Sequence, residues 1–308
     1  MKVGFLVPNL QSERYQREQA LFTNKINELG GEALVASAEY DDKLQIDQAS
    51  KMIKEGAKVL VVNSVNMNTA AAIVREAHEN NVKVIAYDRV IQNCDLDIFI
   101  SFDNVKVGKL MAEYTTRIKP EGNYVLIGGD KADLNAVLVK SGQLEVLEAL
   151  VKNGKIKIIY NVYVEDWSGE NAYQEMKRFL NLSEVKPDVI LSSYDGMSLG
   201  CIKALDDHGL AGQVIITGQD AELEACRNII QNRQTMTVYK PLKLLAENAA
   251  ELSFKMAKGD KLSLPSTTIE NGQKSVPAIL LEPVAVDKEN MKNKIIAEGF
   301  YTEAQVYN

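Results

Sequence analysis

The sequence predicts an α/β protein of two doubly wound parallel-sheet domains joined by a three-strand hinge. Three observations lead there. Short apolar runs alternate with stretches of helical period up to residue 88, and the alternation resumes after residue 104. Repeated strand–helix units imply a parallel sheet with helices on both faces. Several runs are apolar throughout, VLVVN at Val59 among them, as a strand covered on both faces requires. The alternation also breaks in three places, around Phe102, Lys240 and Pro283. At 308 residues the chain has room for two domains on a prior of roughly 150 residues each.

Residues 2–7 form the first strand, ended by Pro8. A helix over 12–29 follows, with Ser12 as a cap candidate and Gly30-Gly31 as its stop. Arg14 falls in the first turn of that helix, where a cation is mildly unfavourable, so it is either a ligand contact or simply exposed. Strand 32–37, helix 45–55, strand 59–63, helix 69–80 and strand 82–87 continue the series. The last strand ends in Asp88-Arg89. A polar loop with Asn93 and Cys94 leads into another apolar strand, 97–102, with no room for a helix between them. Two readings stand for this stretch. Either the first domain is complete here and Asp88-Arg89 faces a ligand crevice, or the stretch is an edge hairpin carrying a surface ion pair.

The second series has helix 104–118 capped by Asn104, strand 124–127, helix 134–152, strand 156–164, helix 169–180, strand 189–193, helix 198–208 and strand 214–217. VLVVNSVN at Val59 echoes VILSSYDG at Val189, and VIAYDR at Val84 echoes VIITGQDA at Val214. A structural duplication accounts for both. Helix 223–231, strand 235–239, helix 242–258, a polar turn-rich stretch 259–271, an extended stretch 276–286 and a terminal helix 291–298 complete the chain. The expected lobes are 1–103 with 238–278, and 104–237 with 279–308. Ordered strands joining two lobes suit hinge closure on a ligand.

Net charge is −7 without a dense Lys/Arg cluster, which argues against nucleic acid or an anionic membrane surface as partner. No apolar run reaches the roughly 18 residues needed to cross a bilayer. MKVGFLVP at the start enters a strand directly, without an h-region or cleavage site; the protein is either cytosolic or exported by a segment removed ahead of this start. Cys94, Cys201 and Cys226 do not make a disulfide framework, and Cys201 and Cys226 fall in apolar helical patterns that bury thiols. With no CxxC and two histidines, a metal site is not expected. GxGxxG and GxxxxGK[ST] are missing, so no cofactor is expected, and no catalytic residue is expected either.

The candidate site residues are Arg14, Asp88, Arg89, Asn135, Trp167, Tyr194, Asp195, Asp220 and Lys240. Each lies at or just beyond the carboxyl end of an expected strand, where open α/β sheets bind ligands. Carboxylates accept hydrogen bonds, Arg and Lys donate, and Asn does both. That inventory suits a polyhydroxyl ligand, with an aromatic plane for the C–H face of a sugar ring. Trp167 is either that plane or a loop residue capping a domain edge. The acids could serve as a general acid–base pair, but neighbouring cations would keep them ionised.

Six stretches carry a resemblance: ERYQRE at Glu13, VIAYDRVI at Val84, DIFISFDNVKVG at Asp97, ADLNAVL at Ala132, GQDAEL at Gly218 and QTMTVYKP at Gln234. Over residues 2–302 the chain resembles periplasmic sugar-binding proteins of the ribose/xylose group, the xylose binders above all. The resemblance implies a type I periplasmic-binding-protein fold and a site made of Arg14, Asp88, Arg89, Asn135, Trp167, Asp220 and Lys240. It implies a pentose ligand, D-xylose first, bound without catalysis and presented to an ABC permease or to a sensor histidine kinase ectodomain. It also implies an extracytoplasmic location with the export segment outside this sequence. The group usually has Asn-Asp where this chain has Tyr194-Asp195, which reshapes the expected pocket. The alternatives are a sugar-modifying enzyme such as an isomerase, and the effector domain of a LacI-type regulator; the latter carries an N-terminal DNA-binding helix-turn-helix, whereas this chain starts on a strand.

Overall fold

The computed structural model describes residues 1–308 except Ser12 and Leu264, so the expected Ser12 cap lies outside the described residues. In chain order the elements are β1 (Lys2–Val7), α1 (Glu13–Glu28), β2 (Glu32–Ser37), α2 (Asp42–Lys54), β3 (Ala57–Val62), α3 (Ala71–Glu79), β4 (Lys83–Tyr87), β5 (Ile98–Phe102), α4 (Asn104–Ile118), β6 (Gly122–Gly128), α5 (Leu134–Lys152), β7 (Ile156–Tyr163), α6 (Gly169–Leu182), β8 (Val189–Ser192), α7 (Asp195–Asp207), β9 (Ile215–Ile216), α8 (Leu223–Ile230), β10 (Thr237–Tyr239), α9 (Leu242–Lys258), β11 (Thr268–Glu270), β12 (Ser275–Leu281), β13 (Val284–Val286) and α10 (Glu303–Tyr307). A 3₁₀ turn, Glu165–Trp167, precedes α6, and a π turn, Lys292–Ile296, precedes α10.

Two units emerge. The first comprises Met1–Phe102 and Pro241–Leu281, the second Asp103–Lys240 and Glu282–Asn308. The crossings expected after residues 103, 237 and 278 therefore fall after 102, 240 and 281. The first unit holds one sheet, β2-β1-β3-β4-β5-β12-β11, parallel except for the β11–β12 pair. Its core follows from the helical stripe of α1. Tyr15, Glu18, Phe22 and Ile26 face inward, and Phe22 stacks on Phe5 at 4.5 Å while Phe5 meets Tyr87 edge-on at 5.2 Å. Helix α9 lays Leu245, Ala246, Ala249 and Ala250 into the same core; its small alanines let it lie close to α1. Each fully buried Phe or Leu contributes about 1.5–3 kcal/mol.

The second unit repeats the order. β7-β6-β8-β9 is a parallel sheet that copies β2-β1-β3-β4, as the sequence echoes suggest. The antiparallel pair β10–β13 continues it through a bridge from Gln219 to Val238. Glycines set its helix crossings. A Cβ on Gly108 of α4 would lie 1.9 Å from the Val139 carbonyl of α5, and one on Gly142 of α5 would lie 2.0 Å from the Val105 carbonyl of α4. On the other face a Cβ on Gly200 of α7 would lie 2.0 Å from the Gly169 carbonyl of α6.

Several local expectations change. Helix α2 starts earlier than expected because Asp41 caps it, accepting from the amides of Lys43 and Leu44. Asn104 is not a cap; Asp103 is, accepting from Lys106 N. Helix α7 begins at Asp195 rather than Ser198. The extended stretch 276–286 splits at Glu282-Pro283 into β12 and β13, one in each unit; proline has no amide to continue a ladder. The expected terminal helix 291–298 is the π turn, and the turn-rich stretch before β12 contains β11. Among the described residues no helix is long and apolar enough to cross a membrane, and no cluster of His, Cys, Asp and Glu could hold a metal. The three cysteines are buried and free.

Candidate functional site

In the first unit the candidates gather beyond β4. Asp88 has φ +65, and the Arg89 amide donates back to Tyr87 O at 2.7 Å, so the chain makes a γ-type turn there. The turn is sewn to β5: Asp88 N donates to Ile100 O at 2.9 Å, and Ser101 Oγ donates to Asp88 O at 3.1 Å. Asp88 is 5 % exposed, yet its carboxylate is compensated, because Arg14 Nη2 lies 3.0 Å from Oδ2. Arg14 also places Nε 3.2 Å from Glu18 Oε1. Glu18 is fully buried, and burial lifts its carboxyl to about 7 against the pull of Arg14. The neighbouring Tyr15 phenol is pushed up to about 12 by burial, partly offset by Arg89 and Arg14.

In the second unit the candidates lie past β6, β7, β8, β9 and β10. Asp133 caps α5 by accepting from Asn135 N at 2.9 Å. The Asn135 side chain is oriented from behind, its Oδ1 accepting from Asn104 Nδ2 at 2.9 Å. Trp167 has φ +54, beside Asp166 at φ +56; for a bulky residue that is a strained conformation, of the kind concentrated at functional sites. The loop is held by Asp166 N donating to Asp130 Oδ2 at 2.9 Å. The indole passes so close to Gly129 that a Cβ there would lie 2.2 Å from Cε3, and it meets Tyr194 edge-on at 6.3 Å. The Tyr194 hydroxyl donates to Glu222 Oε1, and burial, with the Glu222 charge, raises that phenol far above its usual range.

Asp220 and Lys240 close the set, with Nζ 3.3 Å from Oδ1 and Lys240 5 % exposed. Asp220 mirrors Asp88. It too has a positive φ, +88, and its amide donates to the adjacent strand, to Val238 O of β10 at 2.9 Å. Each unit thus carries, beyond a strand end, an aspartate of positive φ paired with a cation.

Asp195 stands apart from the others. It is fully buried. Its Oδ1 accepts from Gln234 Nε2 at 2.8 Å, and its Oδ2 accepts from Thr237 Oγ1 and Glu222 N, each at 2.9 Å. Burial raises its carboxyl and these donors oppose the rise. It braces β10 and the loop before α8 from inside. Sequence reasoning passed over Glu18, Asn104 and Glu222. The signal for Glu18 was an acid in the apolar stripe of α1, one turn from Arg14; Glu222 lies two residues past Asp220. It also missed Lys140, buried on α5, which donates to Asn161 Oδ1 and Val162 O at 2.8 Å each over the Tyr163 ring; burial lowers it to about 8.

Residues 3–261 match the periplasmic binding protein domain family. The chain belongs to that family. Among curated relatives of this periplasmic binding protein, the D-xylose-binding periplasmic protein of Haemophilus influenzae is 42% identical over 308 residues, 100% of this chain and 92% of the relative. The D-xylose-binding periplasmic protein of Escherichia coli K12 is 40% identical over 306 residues, covering 99% and 92%. Among solved structures, an ABC transporter solute-binding protein from Clostridium phytofermentans with bound β-D-glucose superposes with a TM-score of 0.89 at 28% identity, covering 99% of this chain and 100% of that one. The α/β architecture is that of type I periplasmic binding proteins.

Proposed function

We propose that this periplasmic binding protein takes up a pentose, D-xylose first, through the strand-end groups of both lobes and closes on it without chemical conversion. The observation that carries the reading is the 42% identity across the full chain to a relative named for D-xylose. The side chains support it. Asp88, Arg14 and Arg89 in one lobe, and Asn135, Trp167, Asp220 and Lys240 in the other, offer acceptors, donors and one aromatic plane at strand carboxyl ends. Tyr194 borders the site, its hydroxyl engaged by Glu222, so it acts by bulk and by steadying Trp167. We assign Asp195 a supporting place behind these groups.

Calorimetry with D-xylose, D-ribose, L-arabinose and D-glucose tests the ligand. A hexose belongs in the panel because the similar solved structure from Clostridium phytofermentans holds β-D-glucose. Tightest binding of D-xylose is the expected result; absence of binding to every sugar would end the reading. Incubation with D-xylose should return it unchanged, and an isomerised product would favour an enzyme. Small-angle scattering should contract on sugar addition if the lobes close. The protein works outside the cytoplasm in this reading and reports occupancy to a membrane protein. Sugar-dependent recovery of permease subunits, or of a sensor kinase ectodomain, from source-cell membranes tests that step.

A further inference from the structure

We propose that Glu18 is a positioning residue for the ligand site: its ionised carboxylate holds the Arg14 guanidinium in its binding orientation, so that proton uptake by Glu18 weakens sugar binding. The inference rests on the sugar-binding reading and on Arg14 belonging to the site. Arg14 is gripped from two elements at once. Nε meets Glu18 Oε1 one turn along α1 at 3.2 Å, and Nη2 meets Asp88 Oδ2 after β4 at 3.0 Å. A guanidinium is a rigid planar fork, so two carboxylates at different nitrogens fix its plane as well as its place. Protonation of Glu18 would leave Asp88 as the one carboxylate of the two still holding that plane.

The surroundings make such a proton exchange reasonable. Glu18 has no exposure, and its second oxygen, Oε2, lacks a well-formed hydrogen bond, as does the buried Tyr87 hydroxyl beside it. The charged and titratable groups facing Glu18 are Arg14 and Tyr15 on its own helix, Asp88 in the turn after β4, and Tyr87 on β4. The α9 residues in the same core are Leu245, Ala246, Ala249 and Ala250, which bring no charge. Burial outweighs Arg14 and places the titration near neutrality, at about 7, within reach of ordinary changes in extracellular pH.

The test is D-xylose affinity by calorimetry from pH 5.5 to 8.5, run in two buffers of different ionisation enthalpy to count protons. Wild type should lose about tenfold in affinity towards the acid end and release a fraction of a proton on binding near pH 7. Glu18→Gln, checked for folding by thermal unfolding, should bind weakly with a flat profile and release no proton. A wild-type profile that is flat with no proton exchanged would overturn the proposal, and so would the wild-type slope persisting in Glu18→Gln. The proton count needs no variant, so it decides even if Glu18→Gln does not fold. Binding with a flat profile removes only this inference; no binding at any pH removes the sugar reading with it.

Discussion

Gly129→Ala should act on the ligand through Trp167. The added Cβ would lie 2.2 Å from Cε3 and 2.3 Å from both Cδ2 and Cζ3 of the indole. Carbon atoms in contact sit about 3.5–4.0 Å apart, so the ring must retreat by more than an ångström. It has little freedom to do so gently. Its backbone is left-handed, its loop is tied to Asp130, and its edge partner Tyr194 is tied to Glu222. A displaced plane loses most of its stacking, which is worth about 1–3 kcal/mol where aromatic planes stack on nucleobases. D-xylose affinity should therefore fall by about 5- to 150-fold. Gly129 is buried, so overpacking should also cost the fold about 1–3 kcal/mol. Calorimetry on Gly129→Ala beside Trp167→Ala, with thermal unfolding of both, is the assay. If Gly129→Ala binds within twofold of wild type while Trp167→Ala is weak, the ring relaxes without leaving the ligand and the steric argument fails. If both bind normally, Trp167 is no contact at all.

Arg89→Ala should weaken sugar binding by about 1.5–3 kcal/mol, the worth of a hydrogen bond from a charged donor to the ligand; wild-type affinity by calorimetry would make Arg89 merely structural. Asp195→Ala should destabilise the second unit by about 2–4 kcal/mol, since Gln234, Thr237 and the Glu222 amide lose their acceptor. Thermal unfolding reads it, and an unchanged midpoint with lost sugar binding would move Asp195 from support to ligand contact. Glu18→Gln should gain stability over wild type as pH rises. The folded-state carboxyl sits at about 7 against about 4.3 unfolded, so folded Glu18 holds its proton longer and wild type loses stability from pH 4.3 up through 7. The relative gain should reach on the order of 3 kcal/mol by pH 8, and urea unfolding at pH 5 and pH 8 measures it; an equal gap at both pH values would contradict the burial argument.

The alternation of strands and helices was legible because its cause is local: residue period and punctuation decide it, and α5 and α9 start and stop where their patterns do. Strand-end residues could be nominated for the same reason. What escaped depends on tertiary surroundings. Asp195 follows a strand just as Asp88 does, but α7 begins on it, and an acid in a helix's first turn is already stabilised there; three donors then enclose it. Glu18 is buried because α9 and the sheet close over the α1 stripe that carries it. β11 is three residues long, too short for any period to show. The chain passes from one unit to the other between Leu281 and Glu282, within the stretch around Pro283 where the alternation was expected to break.

The glycines between α4 and α5, and between α6 and α7, bear on how this protein could be re-engineered. At Gly108, Gly142 and Gly200 the facing atom is a main-chain oxygen, which cannot rotate aside as a side chain would. The glycines themselves have no rotamers to freeze on folding, and their bare Cα hydrogens can point at carbonyls across the gap. At these three contacts the helices are spaced by backbone shape. A library aimed at new sugars can vary the loops past β6, β7 and β8, while alanine at any of these three glycines would wedge two helices apart whichever sugar is sought. Low variability there among evolved variants would record geometry and carry no information about the ligand.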